Sequence, residues 1–187
     1  MDISGAMQMR YAKIEECECV NGNGWGVSLY IQGCPFHCPG CFNPETWDFN
    51  GGEKWTFDTE KIVLELLKQD WVNRCSILGG EPLYIDNLVD LLYFTDKIKK
   101  LLKLDIWLWT GYTWEQIQER IKQAQVVWPD TLDDMYLEAL IKNIDFLITG
   151  PFIEEEKDLT LQWRGSRNQE VIDVQATLYQ GKKILYV

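Results

Sequence analysis

The sequence predicts an α/β fold: a partial, open (β/α) barrel of mainly parallel strands with a C-terminal hairpin. Three observations lead there. Segments of strand character alternate with segments of helical apolar spacing along most of the chain, and such alternation implies parallel strands joined by right-handed crossovers. The first two strands end in loops rich in glycine, carrying cysteines in one case and an acid in the other, which suits the carboxyl ends of barrel strands where active sites lie. The 187 residues fall short of the about 250 that a full eight-fold barrel needs, so the barrel is partial.

Residues 25–32 (WGVSLYIQ) are rich in β-formers and stop at Gly33, which makes them the first strand of the repeat and the carrier of the cysteine loop. Residues 58–69 place Ile62, Val63, Leu66 and Leu67 at helical spacing behind Asp58 as cap. A short apolar strand at 75–78 stops at Gly79-Gly80, and after Pro82 a helix follows with Leu88, Leu91, Leu92, Ile98 and Leu101 on one stripe. Residues 105–110 (DIWLWT) form a third strand. Thr113 and Gln116 then make a capping box that opens a helix carrying Ile117 and Ile121. Another helix spans 132–142, and 144–149 (IDFLIT) is a strand broken by Gly150-Pro151. Residues 170–178 and 183–187 read as two strands turning at Gln180-Gly181, the hairpin.

With 46% hydrophobic residues the chain supports one domain: an amino-terminal extension or edge over 1–24, strand–helix repeats over 25–150 with the cysteine loop at 33–42, and a carboxyl-terminal part over 151–187. No apolar run resembles a signal peptide, and no stretch approaches the ~20 apolar residues of a membrane span, so a cytoplasmic protein without membrane contact is expected. A net charge of −11 opposes phosphate backbones and argues against nucleic acid as a partner. The compact basic group is Arg164 with Arg167, and Glu154, Glu155 and Glu156 read as a solvated turn.

The chemistry concentrates in Gly33-Cys34-Pro35-Phe36-His37-Cys38-Pro39-Gly40-Cys41. Thiolates are the donors iron–sulfur clusters take, and three of them leave one iron of a cubane free for a small molecule. The competing reading is a zinc site, with His37, Cys17 or Cys19 as fourth ligand. Gly79-Gly80-Glu81-Pro82, at the end of the next strand, offers backbone carbonyl and amide groups to a ligand's ammonium or carboxylate, with Glu81 as a further acceptor. Cys17 and Cys19 alternate on a strand as ordinary thiols, and Cys75 packs in the core. His37 is the one histidine, so hydrolase chemistry through a histidine base would have to run through the cysteine loop, and it is set aside.

CPFHCPGC resembles the CxxxCxxC signature of the radical S-adenosylmethionine superfamily, and GGEP its methionine-binding turn. Together with GCPFHCPGCFNPETW, LGGEPL, WLWTGYTWEQI, ITGPF and LQWRGSRNQEVID, the chain resembles the activating proteins of the anaerobic ribonucleoside-triphosphate reductase, from Gly33 to Asp173. Gly40 stands where many superfamily members have an aromatic residue, and Thr149 where relatives often have an acid.

The resemblance implies a [4Fe–4S] cluster on Cys34, Cys38 and Cys41, with S-adenosyl-L-methionine chelated at the open iron. It implies reductive cleavage to a 5′-deoxyadenosyl radical, and hydrogen abstraction from a glycine of the reductase catalytic subunit. It also implies that Gly40 and Phe42 flank the nucleoside, that Gly79 and Gly80 hold the amino group with Glu81 beside them, and that Thr110 makes a polar contact. A reduced flavodoxin-like protein is the implied donor, because cleavage needs a strongly reducing electron. The 163–169 loop is expected to shape the nucleoside pocket or to dock the reductase. Alternatives are the activase of another glycyl-radical enzyme, a small-molecule radical enzyme such as a deazaguanine synthase, or a zinc-stabilised interaction module.

Overall fold

The computed structural model describes residues 7–126 and 132–187. Seven strands form one sheet: β1 (Arg10–Glu18), β2 (Gly26–Ile31), β3 (Glu53–Lys54), β4 (Arg74–Gly79), β5 (Asp105–Trp109), β6 (Phe146–Thr149) and β7 (Glu170–Asp173). Five helices accompany them: α1 (Phe57–Leu67), α2 (Leu88–Lys97), α3 (Trp114–Val126), α4 (Leu132–Asn143) and α5 (Val174–Gln180). The sheet order is β3-β1-β2-β4-β5-β6-β7.

The four central strands β2, β4, β5 and β6 are mutually parallel. Both margins are antiparallel, with β1 pairing β2 and β3 on one side and β7 pairing β6 on the other. The sheet is therefore open and mixed, and "mainly parallel" holds for its centre alone. The margins differ because β2 follows β1 after the loop 19–25 and β7 follows β6 after the loop 150–169, neither of which contains the α-helical crossover that parallel pairing uses.

One face of the sheet carries Val27, Leu29, Ile31, Cys75, Ile77, Ile106, Leu108 and Leu147, all wholly buried in a core shared with Val63, Leu91, Phe94, Ile117 and Leu140 from the helices. Period-two alternation sends the other residues of these strands to the opposite face. There Trp107, Ile148 and Val171 form a second cluster with Trp109, Phe146 and Trp163 packed on it.

Local chemistry explains the ends of the elements. Thr113 Oγ1 accepts the Gln116 N–H at 3.3 Å while Gln116 Oε1 accepts the Thr113 N–H at 2.9 Å, the reciprocal pair expected from the sequence. The cap of α1 is Thr56, whose side chain accepts the Thr59 N–H, and not Asp58, which lies inside the first turn. There Asp58 still favours the helix through its charge. The apolar stripe expected to run to Leu101 leaves α2 for a π-turn over Ile98–Leu102, which Lys103 closes in a left-handed conformation.

The hairpin expected at the carboxyl end is corrected. Residues 174–180 are helix α5, started by Asp173, whose side chain accepts the Ala176 N–H at 2.8 Å, and ended by left-handed Gly181. The tail does return antiparallel to β7, with the Tyr186 N–H bonded to Val171 O at 2.8 Å, but a helix intervenes. Among the described residues no helix is long and apolar enough to cross a membrane.

Candidate functional site

The four parallel strands all run toward one end of the sheet, and there a cleft is lined by residues following each of them: Cys34 after β2, Gly80 after β4, Thr110 after β5 and Gly150 after β6. Ligand sites of open α/β sheets occupy this position.

Register brings the two signature segments together. Ile31 pairs with Gly79, so the chains leaving β2 and β4 emerge side by side. The Gly80 N–H bonds to Ile31 O at 2.8 Å, and the Glu81 N–H to Gly33 O at 2.8 Å. A Cβ on residue 80 would collide with the Gly33 carbonyl, so glycine is required for this approach. Beneath the loop, the Gly33 and Cys34 N–H groups bond to Thr46 O and Trp47 O at 2.7 and 3.2 Å.

Cys34, Cys38 and Cys41 all line the cleft, each half-buried. Burial pushes the Cys34 thiol up to about 11, against backbone hydrogen bonds from Phe36 and His37 that favour its thiolate. Cys38 is raised by burial too, opposed by a backbone bond from Phe152. The Asn43 N–H points at Cys41 Sγ, 3.4 Å away. Each sulfur is thus partly desolvated and met by backbone amides, the environment that tunes iron–sulfur clusters.

Three thiols lining one cleft are the donor set a cubane takes, one on each of three irons. The other zinc ligands weighed from the sequence do not join them. Cys17 and Cys19 lie beside Glu18, which pairs with Gly26 at the start of β2, roughly 17 Å of strand from the cysteine loop. His37 holds a left-handed conformation (φ 46°), and its ring stacks on Trp47 with centroids 4.8 Å apart. Cys75 is wholly buried in the core, where burial raises its thiol to about 12.

Glu81 lines the cleft but is wholly buried. Its Oε1 accepts the Leu83 N–H at 2.8 Å and the Thr110 hydroxyl at 2.7 Å, and its Oε2 accepts the Gly111 N–H at 2.7 Å. Burial pushes its pKa up to about 7 in spite of these donors. The hydroxyl of Thr110 is thus donated to Glu81. Phe42 is half-exposed at the cleft and packs on Phe152 with centroids 5.1 Å apart. Gly40 does not line the cleft: it turns the loop at φ 71°, where a Cβ would press on the Glu154 carboxylate. Thr149 is buried within the β6–β7 pair.

Trp109 and Phe152 line the cleft without having been candidates in the sequence, and Gln169 lines it as the last residue of the 163–169 loop expected there. Gln169 Oε1 accepts the Gly165 and Ser166 N–H groups at 2.8 and 3.2 Å, and its Nε2 donates to Gly150 O at 3.0 Å. Arg164 Nη1 donates to Gln169 O at 3.0 Å. The one available signal was the position of Gln169 at the close of the WRGSRNQ run, immediately before β7.

Residues 20–172 match the family model of the 4Fe-4S single cluster domain. The chain is 35% identical to the anaerobic ribonucleoside-triphosphate reductase-activating protein of Vibrio cholerae over 166 residues, 87% of this chain and 97% of that one. The protein of the same description from Salmonella typhimurium is 35% identical over the same shares, and that of Enterobacteria phage T4 is 33% identical over 87% of this chain and 93% of its own.

Proposed function

The chain belongs to the family of anaerobic ribonucleoside-triphosphate reductase-activating proteins, and on that premise we propose that it installs the glycyl radical of such a reductase. The observation that carries this reading is the meeting of three cysteines and a Gly-Gly turn in one cleft at the ends of four parallel strands. When bound, a [4Fe–4S] cluster and S-adenosylmethionine supply one-electron reductive chemistry that ends in hydrogen abstraction from a glycine of the partner.

The chain's own residues bind and orient. Cys34, Cys38 and Cys41 hold the cluster, and the amides aimed at their sulfurs set its electron affinity. Because the Gly80 N–H is taken by Ile31 O, the turn at Gly79 and Gly80 offers its carbonyl oxygens to the cofactor's ammonium group. Glu81, with both oxygens engaged by protein donors, holds that turn against Thr110 and Gly111. Phe42, backed by Phe152, flanks the nucleoside, and Gly40 gives the loop its turn. Apolar rings at the cleft keep water from the reacting centre.

A reduced flavodoxin-like protein supplies the electron, and the protein works in the cytoplasm. The four central strands are read as an arc of a (β/α) barrel. The test combines reconstituted protein, S-adenosylmethionine, a reductant and the anaerobic reductase without oxygen. A doublet glycyl-radical resonance on the reductase is expected. Cleavage of S-adenosylmethionine with no radical on that reductase would transfer the reading to another glycyl-radical partner, and no cleavage by a fully loaded cluster would end it.

A further inference from the structure

Among the described residues, Trp163 is the largest side chain to adopt a left-handed backbone, at φ 60°. Bulky residues persist in that region only where their surroundings over-determine them, and such outliers gather at functional sites. Two constraints act on Trp163. Its ring packs edge-on against buried Trp107 at 4.7 Å and stacks on Tyr186 at 5.7 Å, which fixes the side chain. Its carbonyl accepts the indole N–H of Trp109 at 2.7 Å, which fixes the inverted backbone.

Trp109 is the last residue of β5 and lines the cleft. With its N–H spent on Trp163, it offers the cleft an apolar ring alone. From Trp163 the chain continues through Gly165, which lies flush against Phe42 and Phe152, to Gln169, whose carboxamide ties the loop to Gly150 at the end of β6. The 163–169 segment is thus a strap anchored at three places around the cleft: the end of β5, the end of β6 and the residue after the third cysteine.

We infer that Trp109 is a positioning residue: its indole N–H holds the Trp163 carbonyl and so keeps the 163–169 strap in place as the wall of the cofactor cleft. The inference rests on the proposed binding of S-adenosylmethionine in that cleft. It assigns the strap to cofactor positioning in place of reductase docking.

Trp109→Phe keeps an aromatic ring, smaller than the indole, and removes the N–H. Limited trypsin digestion of this variant is expected to show cleavage after Arg164 and Arg167 accelerated about tenfold, the loss of one hydrogen bond's worth of restraint. Cleavage after Lys61, on α1, and after Lys68, which caps that helix, should keep its rate. In the cluster-loaded protein without reductant, iron and sulfide content should match the wild type while the dissociation constant for S-adenosylmethionine rises about tenfold. Gln169→Ala, which frees the strap from its other end, should reproduce both effects.

Unchanged cleavage in both variants overturns the inference. So does equal acceleration at Lys61 and Lys68, which would mark a general loss of stability, or a freed strap with unaltered affinity. If the wild type itself binds no S-adenosylmethionine, the functional reading fails instead, and the digestion alone decides whether Trp109 holds the strap.

Discussion

Glu81 Oε2 accepts the Gly111 N–H at 2.7 Å, so a single buried carboxyl group joins the loop after β4 to the loop after β5. Burial raises its pKa from an ordinary 4.5 to about 7. Between those values the unfolded chain is ionised at this position and the folded chain protonated, so stability falls as pH rises through that window. Glu81→Gln cannot ionise. The stability of the wild type relative to Glu81→Gln is therefore expected to decline from about pH 4.5 to about pH 7 and to level off on either side. Guanidinium unfolding of the cluster-free proteins at intervals of pH measures it, and a flat difference would show that the three donors hold Glu81 ionised.

The cysteines should separate by reactivity. Cys17 and Cys19 are exposed, whereas burial lifts Cys34 to about 11 and Cys75 to about 12 from an ordinary 9.0. A two-unit rise removes about a hundredfold of the reactive thiolate. Iodoacetamide at pH 8 should accordingly label Cys17 and Cys19 well before Cys34 and Cys75 in the cluster-free protein, as read by peptide mass spectrometry. Early labelling of Cys34 would contradict its burial.

Single alanine variants should divide the thiols in a second way. Cys34→Ala, Cys38→Ala and Cys41→Ala are each expected to lose most iron and sulfide after anaerobic reconstitution, and Cys17→Ala and Cys19→Ala to retain both. Metal analysis gives the answer, and iron loss in Cys17→Ala or Cys19→Ala would reopen the question of a fourth protein ligand.

Arg74 is wholly buried at the end of the sheet remote from the cleft, with Nη1 2.7 Å from Glu18 Oε1. Burial pushes the Glu18 carboxyl up, but the bonds from Arg74 and Ser28 leave it below its ordinary value. Removing one partner strands the other's charge, so Arg74→Ala should cost about 3–5 kcal/mol in chemical denaturation. A loss under about 1 kcal/mol would mean that solvent reaches the pair.

The two arginines of the strap should differ. Arg164 bonds to Gln169 O, while Arg167 has a largely exposed side chain, with Nε 3.1 Å from Asp158 Oδ2. Arg164→Ala is expected to raise the KM for S-adenosylmethionine, and Arg167→Ala to leave it within about twofold, as surface pairs contribute little. Steady-state kinetics with normal cluster content in both variants makes the comparison, and equal effects would count against the division.

What the sequence made legible was local. The strand before Gly33, the Thr113–Gln116 box and the cysteine loop each depend on neighbours within a few residues, and each stands where the pattern placed it. Helix α5 was missed because VQATLYQ alternates enough to pass for a strand, and the Asp173 cap outweighed that pattern. The edge strand expected around Cys17 and Cys19 had no readable bounds, because the bulges of β1 break its alternation twice between Tyr11 and Glu18. Trp109 was invisible as a site residue because its partner, Trp163, lies 54 residues away.

The bare backbone at position 80 has a consequence for redesign. Because the carbonyl of Gly33 fills the space any side chain there would need, the thiol loop and the acidic turn form one interlocked joint despite the intervening helix and strand. Transplanting either segment alone into another scaffold would carry half of a hinge without its pin. A working graft must bring both, with the strands behind them in matched register.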